Sequence, residues 1–279
     1  MTRDSAGTYA CFAPEVKCCG ARHVSVTTAL GVLSKPALIQ WAANCAADAA
    51  AKDLLVATGE FEHADGTDEL TNIFELLTKG RDRWARAHVL ARDKAAARGT
   101  EVHRIVEALA QGREPATIPP EVLPYLDALR RFCDVEKPIV VHSESVVSSR
   151  KGYAGTLDAI HRVANARACL AGHADCGEPG LVIRDWKTRG NESKARLYGE
   201  EVLQLAAYRY ATWMRSPDGT IRKMPRIDAA EVVLLWPPTG PSDPGYRIER
   251  VRADREALAM FFHALALYRY RREQEGDRR

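Results

Sequence analysis

An α/β fold, with a central sheet flanked by helices, is what this sequence predicts. Through most of the first 136 residues, apolar side chains recur at helical spacing. After Lys137-Pro138 the character changes to β-branched runs such as Ile139-Val140-Val141. One long helical stretch then separates a first group of strand-like runs from a second. The expected organisation is a helical amino-terminal region, 1–136, and an α/β core, 137–279, packed as one compact unit.

Taken in order, Val24 to Leu33 reads as a lead-in turn feeding a short helix. A helix should open at Lys35 and run to about Thr58, because Pro36 sits in its first turn, where the missing N–H costs nothing. Gly59 to Gly66 is a polar loop. Leu70, Ile73, Phe74 and Leu77 predict a helix from Asp68 to about Lys79, and a second stretch continues through Trp84, Val89 and Leu90 to about Leu109. The Pro- and Gly-rich run from Gly112 to Pro120 is a break, followed by a helix from Glu121 to Phe132 that Lys137-Pro138 ends. Strands are expected at Ile139 to Val147, Tyr153 to Ile160 and Leu181 to Trp186. A helix from Lys194 to Met214, strands at Glu231 to Trp236 and Tyr246 to Val251, and a helix from Asp254 to about Glu273 complete the chain.

The composition, 46% hydrophobic and 28% charged over 279 residues, is that of an ordinary globular protein. No apolar run approaches the ~20 residues of a membrane helix, and the start of the chain lacks the apolar core of a secretory signal. A cytoplasmic location without a membrane partner is the expectation. A net charge of +3 is too small to name a nucleic-acid partner by itself. Lys79, Arg81, Arg83, Arg86, Arg92, Lys94 and Arg98 nevertheless face only Asp82 and Asp93 in their segment. That segment is either a phosphate-tracking surface or a solvated helix face. Seven cysteines, an odd set, argue against a disulfide framework. No phosphate-binding loop of the G-x-x-x-x-G-K-[ST] type occurs, so the chain carries no nucleotide-driven motor of that kind.

The residues that carry chemistry cluster around Asp185-Trp186-Lys187. In a strand, positions i and i+2 share a face, so Asp185 and Lys187 converge. Asp158 ends another strand, with Thr156 and Ile160 on its face, and pairing of the two strands would bring the carboxylates together. Two carboxylates on adjacent strands suit Mg²⁺ or Mn²⁺, and a nearby ammonium can orient water at a phosphodiester. His103 lies on one helical stripe with Gly99 and Glu107, where it either adds an imidazole to the same cation or is a structural histidine. Gln204 and Tyr208 share a helix face. They contact a DNA strand, buttress the carboxylates, or edge a helix packed through Leu203, Ala207 and Tyr210. In the long connection between Asp158 and Asp185, Cys169-x3-His173-x2-Cys176 either joins Cys18 or Cys19 in a zinc site or is a surface insertion with incidental thiols.

Together, Gly99-Thr100-Glu101-Val102-His103 with Glu107, Gly155-Thr156-Leu157-Asp158, Asp185-Trp186-Lys187-Thr188 and Gln204-x-x-x-Tyr208 resemble the RecB-like branch of the PD-(D/E)XK nucleases. That branch includes nuclease domains of bacterial recombination helicases, CRISPR-adaptation exonucleases and mitochondrial genome-maintenance exonucleases. Ser25-Val26-Thr27-Thr28 and Leu38-x-x-Trp41 look like the opening of phage-encoded members, so the resemblance covers about residues 24 to 210. It implies a restriction-endonuclease-like core. It further implies that His103, Asp158, Asp185 and the Trp186 carbonyl hold Mg²⁺ or Mn²⁺, with Lys187 as the catalytic lysine. Glu144 would be a further catalytic acid, holding a second metal or supporting the first, unless it faces solvent. Gln204, Tyr208, Ser25, Thr27, Arg81 and Arg86 would contact DNA. The implied activity is that of an exodeoxyribonuclease in bacterial or phage recombination, repair or DNA processing, working on linear ends or single strands beside recombination or replication proteins. A restriction- or repair-type endonuclease and a non-catalytic DNA-binding module are the alternatives. Several relatives hold an iron–sulfur cluster with one cysteine before the core and three after it; no cysteine follows Cys176, so that arrangement is excluded here.

Overall fold

A computed structural model describes residues 8–10, 22–33, 35–61, 80–110, 113, 115, 117–164 and 179–276. The chain divides into two compact units: Met1–Leu33 with Glu101–Arg279, and Ser34–Thr100. Residues 101–136 group with the larger unit. Val102 and Ile105, and then Tyr125, Leu126, Leu129 and Phe132, are apolar and buried against the sheet, which draws residues 101–136 into the larger unit.

The larger unit is built on a mixed nine-stranded sheet: β1 (Thr8–Ala10), β2 (Arg22–Ser25), β3 (Ile139–Ser149), β4 (Tyr153–Val163), β5 (Gly180–Thr188), β6 (Trp213–Arg215), β7 (Ile221–Lys223), β8 (Ala229–Leu235) and β9 (Tyr246–Val251). The order is β7-β6-β3-β4-β5-β8-β9, with β2 pairing both β1 and β4. Among the described residues five helices accompany it: α1 (Val26–Leu30), the end of α3 (Ala87–Ala110), α4 (Leu123–Glu136), α5 (Gly199–Arg209) and α6 (Arg255–Gly276). On one face Val26 and Leu30, Leu205 and Tyr208, and Phe261 and Leu265 pack on Leu157, Ile183, Val232 and Leu234. On the other, α3 and α4 pack on Trp186, Val233 and Leu235. The strict alternation along β8, Val232 to one face and Val233 to the other, makes it a strand buried on both sides.

The register around β4 positions the site. β3 pairs along nearly its whole length on one side. On the other, β2 covers Tyr153 and Ala154, and β5 pairs only from Ala159 onward, opposite Arg184. On that second edge Gly155, Thr156, Leu157 and Asp158 thus lie in a fork between β2 and β5, paired with neither, among the described residues. At the fork the Trp186 amide donates to Asp158 Oδ2 at 2.8 Å, so a carboxylate replaces the next rung of the ladder.

Several expectations are corrected. Before α1 the backbone forms strand β2, held by β1 and β4, in place of a lead-in turn. The helix expected over Lys194 to Met214 is confined to α5: Lys194 closes a 3₁₀ turn capped by Asn191, and Trp213–Arg215 is drawn out as β6 by pairing with β3. Ile160 joins the cluster of Tyr153 and Leu157, so it does not share a face with Asp158. The helix expected from Asp68 to Lys79 lies outside the described residues. At the end of α4, by contrast, Lys137 adopts the left-handed conformation (φ 42°), closing the helix before Pro138 as expected.

In the smaller unit α2 (Pro36–Phe61) continues past Thr58, so Gly59 is helical. The Arg83 guanidinium and the Trp84 indole both donate to Asp53 of α2. Arg81 and Arg86 are exposed. No helix of the described residues is long and apolar enough to cross a membrane.

Gly155 shows how tightly the fork is packed: a Cβ there would lie 2.5 Å from Cε1 of the buried Tyr208 ring. Gly155→Ala should lower the free energy of unfolding by about 1–3 kcal/mol, read by urea or thermal denaturation; a neutral result would mean that α5 can lift from β4.

Candidate metal centre

Five elements deliver side chains to the fork. Asp158 comes from β4, and Asp185 and Lys187 from one face of β5, two residues apart. His103 comes from the last turns of α3, which Val102 and Ile105 anchor to α4. Glu144 comes from β3, and α5 adds Gln204 and Tyr208.

His103 bridges two of these elements. Its Nδ1 is 3.5 Å from Asp158 Oδ1, and its Nε2 is 3.1 Å from the Trp186 carbonyl oxygen. One donor atom each from His103, Glu144 and Asp158 falls within 4.8 Å of the others. Glu144 reaches this cluster from a left-handed backbone (φ 43°) inside a strand, a conformation that costs a non-glycine residue about 1–3 kcal/mol. Asp185 has different partners. The Lys187 ammonium pairs with its Oδ2, and Gln204 Nε2 donates to Oδ1 at 2.9 Å. The same amide lies 3.5 Å from the Tyr208 hydroxyl. Asp185 is 2% exposed, so its charge depends on these neighbours.

Burial opposes an imidazolium at His103, but the adjoining Asp158 carboxylate overrides it and holds the group protonated up to about 9. Glu144 is pushed up to about 7 by burial and by the charge of Asp158. Asp185 rises to about 6, chiefly through burial, with Lys187 pulling the other way. For Asp158 the order reverses: burial favours the neutral acid, yet His103 and Lys187 carry its pKa below the ordinary value. The pattern is an excess of buried negative charge that protons relieve. A divalent cation would relieve it better. Carboxylates, one imidazole and a backbone carbonyl make an oxygen-rich donor set that fits Mg²⁺ or Mn²⁺.

The sequence-selected residues are thus gathered unequally. His103, Asp158 and the Trp186 carbonyl lie together, and Glu144 joins them; Asp185 and Lys187 form the adjoining ion pair. Ser25, buried at the start of α1, lies in register with Ala154 beside the fork, its hydroxyl 2.9 Å from that of exposed Thr27. Arg81 and Arg86 belong to the other compact unit. Cys169, His173 and Cys176 lie outside the described residues, as do Cys18 and Cys19.

A cavity of about 480 Å³ adjoins Glu144, lined by Glu107, Val146, Thr156, Arg215, Ser216 and Gly219. Arg215 was not legible in the sequence, because a helical reading through Met214 concealed β6. On that strand Arg215 stands opposite Val146, two residues along β3 from Glu144.

No family model matches this chain, and no curated protein matches it.

A cation must displace the protons that His103 and Glu144 hold above their ordinary values of 6.5 and 4.5. Occupancy should therefore strengthen with rising pH, by about tenfold or more between pH 6 and pH 8. Mn²⁺ titration calorimetry in buffers of different ionisation enthalpy reads both the affinity and the released protons. An affinity independent of pH would remove both residues from the donor set.

Proposed function

We propose that this chain is a Mg²⁺- or Mn²⁺-dependent deoxyribonuclease that hydrolyses phosphodiester bonds, working inward from DNA ends, on a PD-(D/E)XK core. The observation that supports it best is the meeting of His103, Glu144, Asp158 and the Trp186 carbonyl beside the Asp185–Lys187 pair in one opening of the sheet. These would be the residues that hold the cation, with Asp185 at its side. When bound, the cation supplies a more acidic water and neutralises charge on the phosphate.

Each remaining group has its own task. Lys187 keeps its ammonium at Asp185, while its side chain is 24% exposed, so one end of the pair faces solvent and substrate. From there it orients the attacking water and offsets negative charge growing on the phosphate oxygens. Gln204 fixes the Asp185 carboxylate, and the Trp186 amide fixes that of Asp158; neither has to reorganise during reaction. The cavity beside Glu144 receives the scissile strand, with Arg215 as the phosphate contact on its wall. The preference for ends over internal sites comes from the resemblance to RecB-like nucleases.

End-labelled linear duplex, linear single strand and a covalently closed circle, each with Mg²⁺ or Mn²⁺, test the reading. The linear substrates should be degraded and the circle spared. Cut circles would indicate an endonuclease, and intact substrates throughout would overturn the nuclease assignment. Lys187→Ala and Asp185→Asn should each lower kcat by about a hundredfold or more with DNA affinity retained. Arg215→Ala should instead raise KM by about tenfold.

A further inference from the structure

The cavity beside Glu144 has its floor on one face of the sheet and its rim on a hairpin, β6 with β7. Val146 of β3 stands opposite Thr156 of β4 on one side and Arg215 of β6 on the other, and all three line the cavity. Residues paired in this way present their side chains to the same face. The row does not stop at the rim. Ile221 of β7 is opposite Arg215, and Lys223 is opposite Trp213, itself opposite Ser148 in the next row. By register, Ile221 and Lys223 continue the face of Arg215 outward to the end of the sheet order.

This outer stretch is open and basic. Every residue of β7 is exposed, and Ile221 keeps 37% of its surface in contact with solvent. Asp218, the acid of the intervening turn, accepts from the Thr220 amide at 2.8 Å and is thereby engaged with the hairpin itself. An exposed aliphatic side chain next to two cations, Arg215 and Lys223, suits a strand of nucleic acid. Phosphates meet the charges, and a base covers the apolar surface. A second copy of the chain is a poor occupant of this edge. The strand is three residues long, and pairing it with itself would bring Arg222 and Lys223 of both copies together. One row of cations also matches one backbone. The cavity to which it leads, of about 480 Å³, has the size of a small-molecule site, with room for nucleotides of a single strand and not for a duplex.

We propose that the β6–β7 hairpin is a track for single-stranded DNA, carrying the strand between the edge of the sheet and the cluster of His103, Glu144 and Asp158. Lys223 contacts a phosphate and Ile221 a base. The track's role as a path to that cluster rests on the nuclease reading, to which it adds the surface that the strand crosses. From β4 to β7 there are three strand spacings, about 14 Å. At ~3.4 Å per stacked nucleotide this is a run of about four nucleotides. Affinity should therefore grow with length only until that run is filled, and a trinucleotide seated at the cluster stops short of Lys223.

Fluorescence anisotropy of the full chain with end-labelled oligothymidylates of three, six and twelve nucleotides, in Ca²⁺, tests this. Binding should tighten by about tenfold from three to six nucleotides and change little beyond. Lys223→Ala should weaken the two longer strands by about fivefold and leave the trinucleotide unchanged. It should also lower the slope of log affinity against log salt by about 0.7. Ile221→Ser should weaken the same strands by about threefold. A blunt duplex of twelve base pairs should bind at least about fivefold more weakly than the single strand. The proposal is overturned if both variants bind every length as the parent does, if the duplex binds as well as the single strand, or if no oligonucleotide binds. Adding Mn²⁺ separates it from the nuclease reading. Binding of this pattern without cleavage keeps the track and removes the hydrolase. Cleavage by both variants at the parental KM removes the track and keeps the hydrolase.

Discussion

The hydrogen bond from the Trp186 amide to Asp158 is the constraint on which the rest of this structure depends. Where β4 and β5 part company, the sheet would otherwise leave a buried amide without an acceptor. The carboxylate that takes that role is thereby locked at the mouth of the fork, with one oxygen spoken for and the other turned to His103. The same peptide unit presents its carbonyl to His103. One strand residue therefore ties sheet, helix and acid together through its backbone alone, which leaves its indole free for the opposite layer.

Charge is the second organising element. Asp158, Asp185 and Glu144 are brought close in a poorly solvated space, against one ammonium and one imidazole. Such an assembly is unfavourable unless something positive compensates. The chain supplies partial compensation through Lys187 and a protonated His103, and a cation held by His103, Glu144 and Asp158 would supply more. The cost is carried by the layers on either side, where apolar helices cover both faces of β5 and β8.

The local part of this arrangement was legible in the sequence. Asp185 and Lys187 share a face because strand geometry makes them, and His103 with Glu107 needed only a helix. Gly155 was visible as part of a motif, but its reason lies in Tyr208, fifty-odd residues away and met only through packing. Register between distant strands has no local signature, so the fork could not be foreseen. Nor could Arg215, whose strand is short and follows a helix with matching apolar spacing. Glu144 was weighed between ligand and solvent-facing residue; its left-handed backbone within β3 has no signature in the composition.

That backbone has an evolutionary corollary. Left-handed geometry is nearly free for glycine and mild for asparagine, so either would be the resting choice of a lineage under no demand for a carboxylate. A glycine here would relieve the backbone and at the same time remove one of the three groups that gather at the fork, so the strain and the donor atom stand or fall together.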